Sequence, residues 1–198
     1  MLKRIFASTL LIFGASTVMA IEEPEYTVLQ STPDYEIRQY EEYIVAEVDI
    51  GLSMSEASGN AFQILAGYIF GGNDEREKMN MTAPVESRPT ATAEDASTYA
   101  FVMEKKFSMD NLPTPNDSRI RLETRAQRTM AVRRYSGAWS QSSYEKHRDT
   151  LQEALHAAKI EVVSDPVWAR YNGPFTPWPL RRNEVMFEVA FQPLSAAR

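Results

Sequence analysis

Residues 170–185 read RYNGPFTPWPLRRNEV, which places Tyr171, Phe175, Trp178, three prolines and the pair Arg181-Arg182 in one short loop. The rings offer flat apolar surface, and the prolines hold the backbone with little entropy left to lose on binding. Guanidinium donors of Arg181 and Arg182 suit carboxylates. A rigid aromatic wall beside a carboxylate clamp would take a flat, amphipathic acid. The same composition would also make a lid folded back over the protein's own core.

Few other residues could do chemistry. The chain has two histidines, His147 and His156. At about 100° per residue, His147 falls among Leu151, Ala154, Leu155 and Ala158 of a helical stripe, and His156 points away. His147 is then either a hydrogen-bonded histidine at the core edge or an imidazole available to a haem iron. Met79 and Met81 would share one strand face, as core packing or as a pliable lining. Glu184 and Glu188 also share a face, as a general base for an enzyme on a small hydrophobic substrate or as ion-pair partners of Arg181 and Arg182. No cluster of metal ligands at ligand spacing and no Gly-x-Ser-x-Gly elbow occurs.

The elements that must carry these residues follow from periodicity. Tyr35–Tyr40 and Tyr43–Ile50 predict strands closed by Gly51. Ser53-Met54-Ser55-Glu56 is a capping-box pattern, and the apolar spacing through Ala57, Ala61, Ile64, Leu65, Tyr68 and Ile69 predicts a helix ended by Gly71-Gly72. Met79–Val85 and Tyr99–Phe107 predict strands, followed by a proline-broken loop over 108–117. The order then returns: strands near Ile120–Arg125 and Thr129–Tyr135, a helix over Ser142–Lys159, and strands near Val167–Tyr171 and Val185–Phe191. Gly51 and Gly137 lie 86 residues apart, as do Leu65 and Leu151. This predicts an α+β fold of two pseudo-repeats, about 24–107 and 118–192, sharing an antiparallel sheet with both helices on one side and a ligand groove between the halves.

The first 20 residues have Lys3 and Arg4, an apolar run over Ile5–Ala15 and the small-residue pattern Val18-Met19-Ala20. They predict a secretory signal peptide cut after Ala20, hence an exported, periplasmic chain without stable membrane insertion, its mature domain spanning 21–198. Loss of Lys3 and Arg4 takes the formal charge from -6 to -8. A net acidic chain with no basic run longer than two residues lacks the footprint for nucleic acid. Without cysteine, stability must come from a packed core.

Four blocks together resemble the SOUL haem-binding protein family: Tyr26-Thr27-Val28-Leu29, Tyr35-Glu36-Ile37-Arg38-Gln39-Tyr40, Lys78-Met79-Asn80-Met81-Thr82-Ala83-Pro84-Val85, and Tyr171-Asn172 with Arg181-Arg182-Asn183-Glu184-Val185. The resemblance spans about residues 24–192. It implies a distorted antiparallel β-barrel with two helices and pseudo-twofold symmetry, similar to gyrase-inhibitor-like effector-binding domains. It implies haem or another tetrapyrrole as ligand, in a pocket of the first helix and the loop before the last strand. By position that sets Phe62 and Ala66 against Phe175, Thr176 and Trp178. Where some members carry a histidine proposed as iron ligand, this chain has Gln39, and Phe62, Ala66 and Gly67 replace a methionine and a lysine found on other members' first helix. The expectation is a non-catalytic periplasmic carrier or sensor of a tetrapyrrole or similar flat ligand, held by Tyr171, Arg181, Arg182 and these pocket residues, with His147 the candidate axial ligand. An enzyme with a glutamate base and a protein-interaction module remain the alternatives.

Overall fold

Alternating side chains split the last strand between two environments. Val185, Phe187 and Val189 enter one apolar cluster, and Met186 enters another on the opposite face. The protein's structure, a computed structural model, describes residues 21–51, 54–90 and 96–192, excluding the side chains of 54–57. The expected leader, the Ser53 cap and the Ala57 side chain lie outside the described residues.

The strands are β1 (Tyr26–Ser31), β2 (Glu36–Tyr40), β3 (Tyr43–Ile50), β4 (Val85–Pro89), β5 (Ser97–Val102), β6 (Arg121–Arg125), β7 (Arg128–Tyr135), β8 (Glu161–Val162), β9 (Val167–Arg170) and β10 (Asn183–Ala190). The helices are α1 (Met54–Ile69) and α2 (Gln141–Ala157). The sheet runs β1-β2-β7-β10-β9-β4-β5-β3-β6, with β8 paired to β10. Its centre is the antiparallel β9–β4 pair. Outward from there, β4-β5-β3-β6 on one side matches β9-β10-β7-β2 on the other. Each outer strand, β6 or β2, comes from the opposite half of the chain, so the two halves interlock in one curled, antiparallel α+β barrel with pseudo-twofold symmetry.

Both helices cover one face. Ala61, Leu65, Tyr68 and Ile69 of α1 and Tyr144, Leu151 and Leu155 of α2 share a core with Ile37, Val48, Phe101, Trp168 and Phe187 of the sheet. Helix α2 is capped by Ser140, whose hydroxyl accepts from the Ser143 amide. Beyond α1 the chain turns at Gly71, φ 108°, and a Cβ at Gly72 would lie 2.6 Å from the Gly67 carbonyl oxygen, so glycine is required there.

Two expected strands differ from the structure. Residues 79–84 run extended but unpaired, and β4 begins only at Val85. The Met79 amide donates to the Ile69 carbonyl at the end of α1, Asn80 is held by Glu104 and Pro84 has no amide, so this block is a strap rather than a ladder member. Likewise β5 stops at Val102, and Phe107 closes a turn on Glu104. Strand β1, exposed at four of its six positions, has too little apolar alternation to be read as a strand from its letters.

Leu151 is fully buried between α2 and the sheet, whereas Leu180 is largely exposed. Leu151→Ala is expected to cost about 2–5 kcal/mol in urea unfolding, and Leu180→Ala to stay within about 0.5 kcal/mol. Equal costs would mean that the helix-face core is wrongly drawn.

Candidate functional site

The loop after β9 does not fold back as a lid. Phe175, Trp178 and Leu180 are 98%, 63% and 74% exposed. Beneath them the backbone is braced from within. Arg181 Nε donates to the Thr176 carbonyl and Nη2 to the Pro174 carbonyl, both at 2.8 Å, and the Gly137 amide donates to the Trp178 carbonyl at 3.0 Å. At the base of the loop the Tyr171 amide donates to the Arg182 carbonyl, and the Arg182 amide donates to Asn172 Oδ1. Arg181 therefore spends its hydrogen bonds on its own loop, with its guanidinium 4.2 Å from the Trp139 ring centroid. Thr176 is half-buried within the turn.

Register places this loop on the helix side of the sheet. Tyr135, Asn183, Arg170, Val85, Phe101 and Ala46 stand side by side in one cross-strand row. Phe62 of α1, 45% exposed, meets Phe101 edge-on at 5.4 Å, while Ala66 is buried beneath the helix. Two strands away, roughly 10 Å, the Arg170 guanidinium lies 5.1 Å from the Trp139 ring, and the Trp139 indole donates to Asn183 at 2.8 Å. Phe62 and the Trp139–Arg170 pair beside the loop thus both lie over the helix side of the sheet. Clefts of about 330, 630 and 280 Å³ indent other parts of the molecule, and none is lined by Phe62, Phe175 or Trp178.

Tyr171 and Arg182 face the other way, into a buried charge network. Glu184 on β10 has no exposed surface. Its Oε2 accepts from Arg38 Nη1 and Tyr171 Oη, both at 2.9 Å, and its Oε1 accepts from Arg182 Nε at 3.0 Å. Arg38 also donates to Glu36 and Tyr40 and stacks 4.4 Å over the Tyr26 ring. Arg182 stacks 3.5 Å over Tyr171 and pairs with Glu23. Burial first, and then the Glu184 charge, push the Tyr171 hydroxyl well above its ordinary range. The neighbours Arg181 and Arg182 therefore act on opposite faces and on different partners. Sequence reasoning missed Arg38, Arg170 and Trp139. The alternation Val167-Trp168-Ala169-Arg170 was the available signal that Arg170 shares the helix face with Trp168.

His147 stacks on Tyr135 at 3.9 Å between centroids, and its Nδ1 is buried without a hydrogen-bond partner. Desolvation, then the charges of Arg133 and Lys146, hold its pKa below the ordinary 6.5. Gln39 lies on β2, three strands from β9 in the sheet order.

A family model described as "SOUL heme-binding protein" matches residues 21–188. Mouse (Mus musculus) "Heme-binding protein 2" is 29% identical over 171 residues, covering 78% of this chain and 81% of that protein. Xenopus laevis "Heme-binding protein 1" is 30% identical over 160 residues, with 77% and 82% covered. Among solved structures, the "EcmrR C-terminal domain" shares the fold at a TM-score of 0.61 and 12% identity, over 78% of this chain and 97% of that one.

Two outcomes test this geometry. Arg38→Met leaves Glu184 short of a buried cation and is expected to cost about 3–5 kcal/mol, part of it recovered in the Arg38→Met/Glu184→Met double variant; urea unfolding measures both, and strict additivity would mean the pair is uncoupled. For His147, the folded pKa lies below 6.5, so the unfolded chain takes up the proton first. Its contribution is complete above about pH 6.5 and shrinks as pH falls through that value. Between pH 8 and 6 the urea midpoint of His147→Gln should fall less than that of the unsubstituted protein; parallel curves would remove His147 as the cause.

Proposed function

The chain belongs to the SOUL heme-binding protein family, and we propose on that premise that it binds haem or another flat tetrapyrrole on the helix face, against the loop 171–182. The observation that carries this reading is that Phe175 and Trp178 are held outward by a self-braced backbone, with Phe62 of α1 also partly exposed. A pre-ordered aromatic wall gives up little entropy when a ring stacks on it. When bound, haem would supply an iron centre. The chain's own residues account for the ring surface, through Phe62, Phe175 and Trp178, with His147 the one histidine near the sheet for the metal.

We read the protein as a non-catalytic carrier or sensor. Of the two candidate bases, Glu184 has both oxygens committed to buried partners and no surface open to a substrate, and Glu188, half-buried four residues on along β10, shares its face, away from the helices. Export to the periplasm is supported by the basic start, apolar run and small-residue pattern of residues 1–20. It also accords with the way residues 22–25, just past the expected cut, are tied to the body: the Ala83 amide donates to the Glu22 carbonyl, Glu23 pairs with Arg182 and Glu25 with Lys105.

Haemin titrated into the mature protein should give a saturable one-site absorbance change, weakened about tenfold in Trp178→Ala. A further loss of the Soret change in His147→Ala would make that histidine the ligand. Weak, non-saturating binding, equal in all three proteins, would remove the tetrapyrrole reading. A partner protein retained through the aromatic loop without any pigment would replace it with the interaction-module reading.

A further inference from the structure

On the helix side of the sheet lies a group of polar side chains for which the described residues provide no carboxylate. Among the described residues, Tyr135 Oη, Trp168 Nε1 and Arg170 Nε are buried without a hydrogen-bond partner, and Tyr144 Oη has none beyond the Arg170 guanidinium. They are neighbours. Arg170 and Tyr135 flank Asn183 in one cross-strand row, and Trp168 stands in the adjacent row of the same face. The Tyr144 ring lies 5.7 Å from Trp168, and the Arg170 guanidinium lies 5.5 Å from Tyr144 and 5.1 Å from Trp139. The Arg170 charge is felt at the hydroxyls of Tyr99, Tyr135 and Tyr144.

Among the described residues, no carboxylate pairs with this group. Of the described buried carboxylates, Glu47, Glu86 and Glu184 lie on the other face, where arginine or tyrosine side chains accompany each one, and Glu104, past the end of β5, is held by Asn80 and Lys106. Arg170 makes no ion pair among the described residues; its guanidinium lies against the Tyr144 and Trp139 rings and within hydrogen-bonding reach of the Tyr99 and Tyr144 hydroxyls, neutral partners that leave its charge uncompensated. An indole N–H and an arginine Nε–H can only donate, and a tyrosine hydroxyl beside a cation turns its lone pairs toward it and its proton outward. Buried donors left unpaired cost free energy, and a native protein that keeps several together has a use for an acceptor there. Arg170 itself is only half-buried, so the group reaches the protein surface.

We propose that Arg170, with Tyr144, Tyr135 and Trp168, is the acid-binding end of the ligand site, so that the ligand is a flat ring system carrying a carboxylate. This inference deepens the ring-binding reading above and rests on it for the ring alone. A tetrapyrrole or a smaller aromatic acid can supply the carboxylate; the charged oxygen is what the group recognises.

The test compares haemin, its dimethyl ester and 1-naphthoate, read by quenching of tryptophan fluorescence in one cosolvent mixture, on the mature protein and on Arg170→Met. Haemin is expected to bind about ten- to hundredfold tighter than the diester, and Arg170→Met to close that gap without changing diester affinity. Tyr144→Phe, which removes one hydroxyl and no charge, should narrow the gap without closing it and serves if Arg170→Met does not fold. Equal binding of acid and ester, or a gap that survives Arg170→Met, overturns the acid subsite and leaves ring binding standing. If neither tetrapyrrole binds but 1-naphthoate does so only with Arg170 present, the tetrapyrrole reading falls and the acid subsite holds. If none of the three binds, both fall.

Discussion

Glu184 keeps no solvent-exposed surface, and a carboxyl group in that position is costly to bury unless donors occupy its oxygens. Those donors come from β2 through Arg38, from the residue after β9 through Tyr171, and from Arg182 just before β10. Arg38 and Glu184 are 146 residues apart in the chain. Meeting this one requirement brings β2 in from the first half, fixes it beside β7, and aligns the end of β9 with the start of β10. Arg182 extends the network to Glu23, so the first described residues are bound into the same set of charges.

The same solution recurs on that face. Glu47 is surrounded by Arg88, Arg121 and Arg125, and Glu86 receives the Tyr43 hydroxyl with Arg128 close by. Strands from both halves contribute to each group, which suits an interlocked pair of repeats better than either repeat alone. The two faces of the sheet therefore differ in kind. One is occupied by carboxylates already matched with cations. The other is an apolar core under two helices, with a guanidinium and several donors left over. An anionic ligand would meet repulsion or redundancy on the first face and a complement on the second.

Much of this was legible in the letters, for identifiable reasons. Helix α2 carries a clean apolar stripe and a serine cap, and β10 alternates strictly, so both appear where periodicity puts them. The strap at 79–84 misled because its methionines alternate like a strand while its hydrogen bonds go to the end of α1 and to Glu104. Arg181 and Arg182 read as one clamp because adjacency in sequence hides the alternation that sends them to opposite faces. The buried role of Glu184 was out of reach, since its partners come from distant strands that only the topology brings together. Arg170 was passed over for a related reason: a strand arginine looks solvated until the topology shows no carboxylate paired with it among the described residues.

The two faces are nonetheless coupled through the loop. Its ends are residues 171–172 and 182, joined by the Tyr171 amide to the Arg182 carbonyl and the Arg182 amide to Asn172 Oδ1. Tyr171 and Arg182 are also the two side chains that hold Glu184 from this end, one stacked on the other. The base of the aromatic wall is thus fixed by buried charge on one side of the sheet while its rings work on the other. A loop with a loose base would have to order Phe175 and Trp178 on binding, at about 0.5–1.5 kcal/mol for each immobilised side chain plus the backbone. Anchoring the base in the Glu184 network moves that ordering cost into folding, where the whole core shares it, and leaves the wall ready for a ring before the ring arrives.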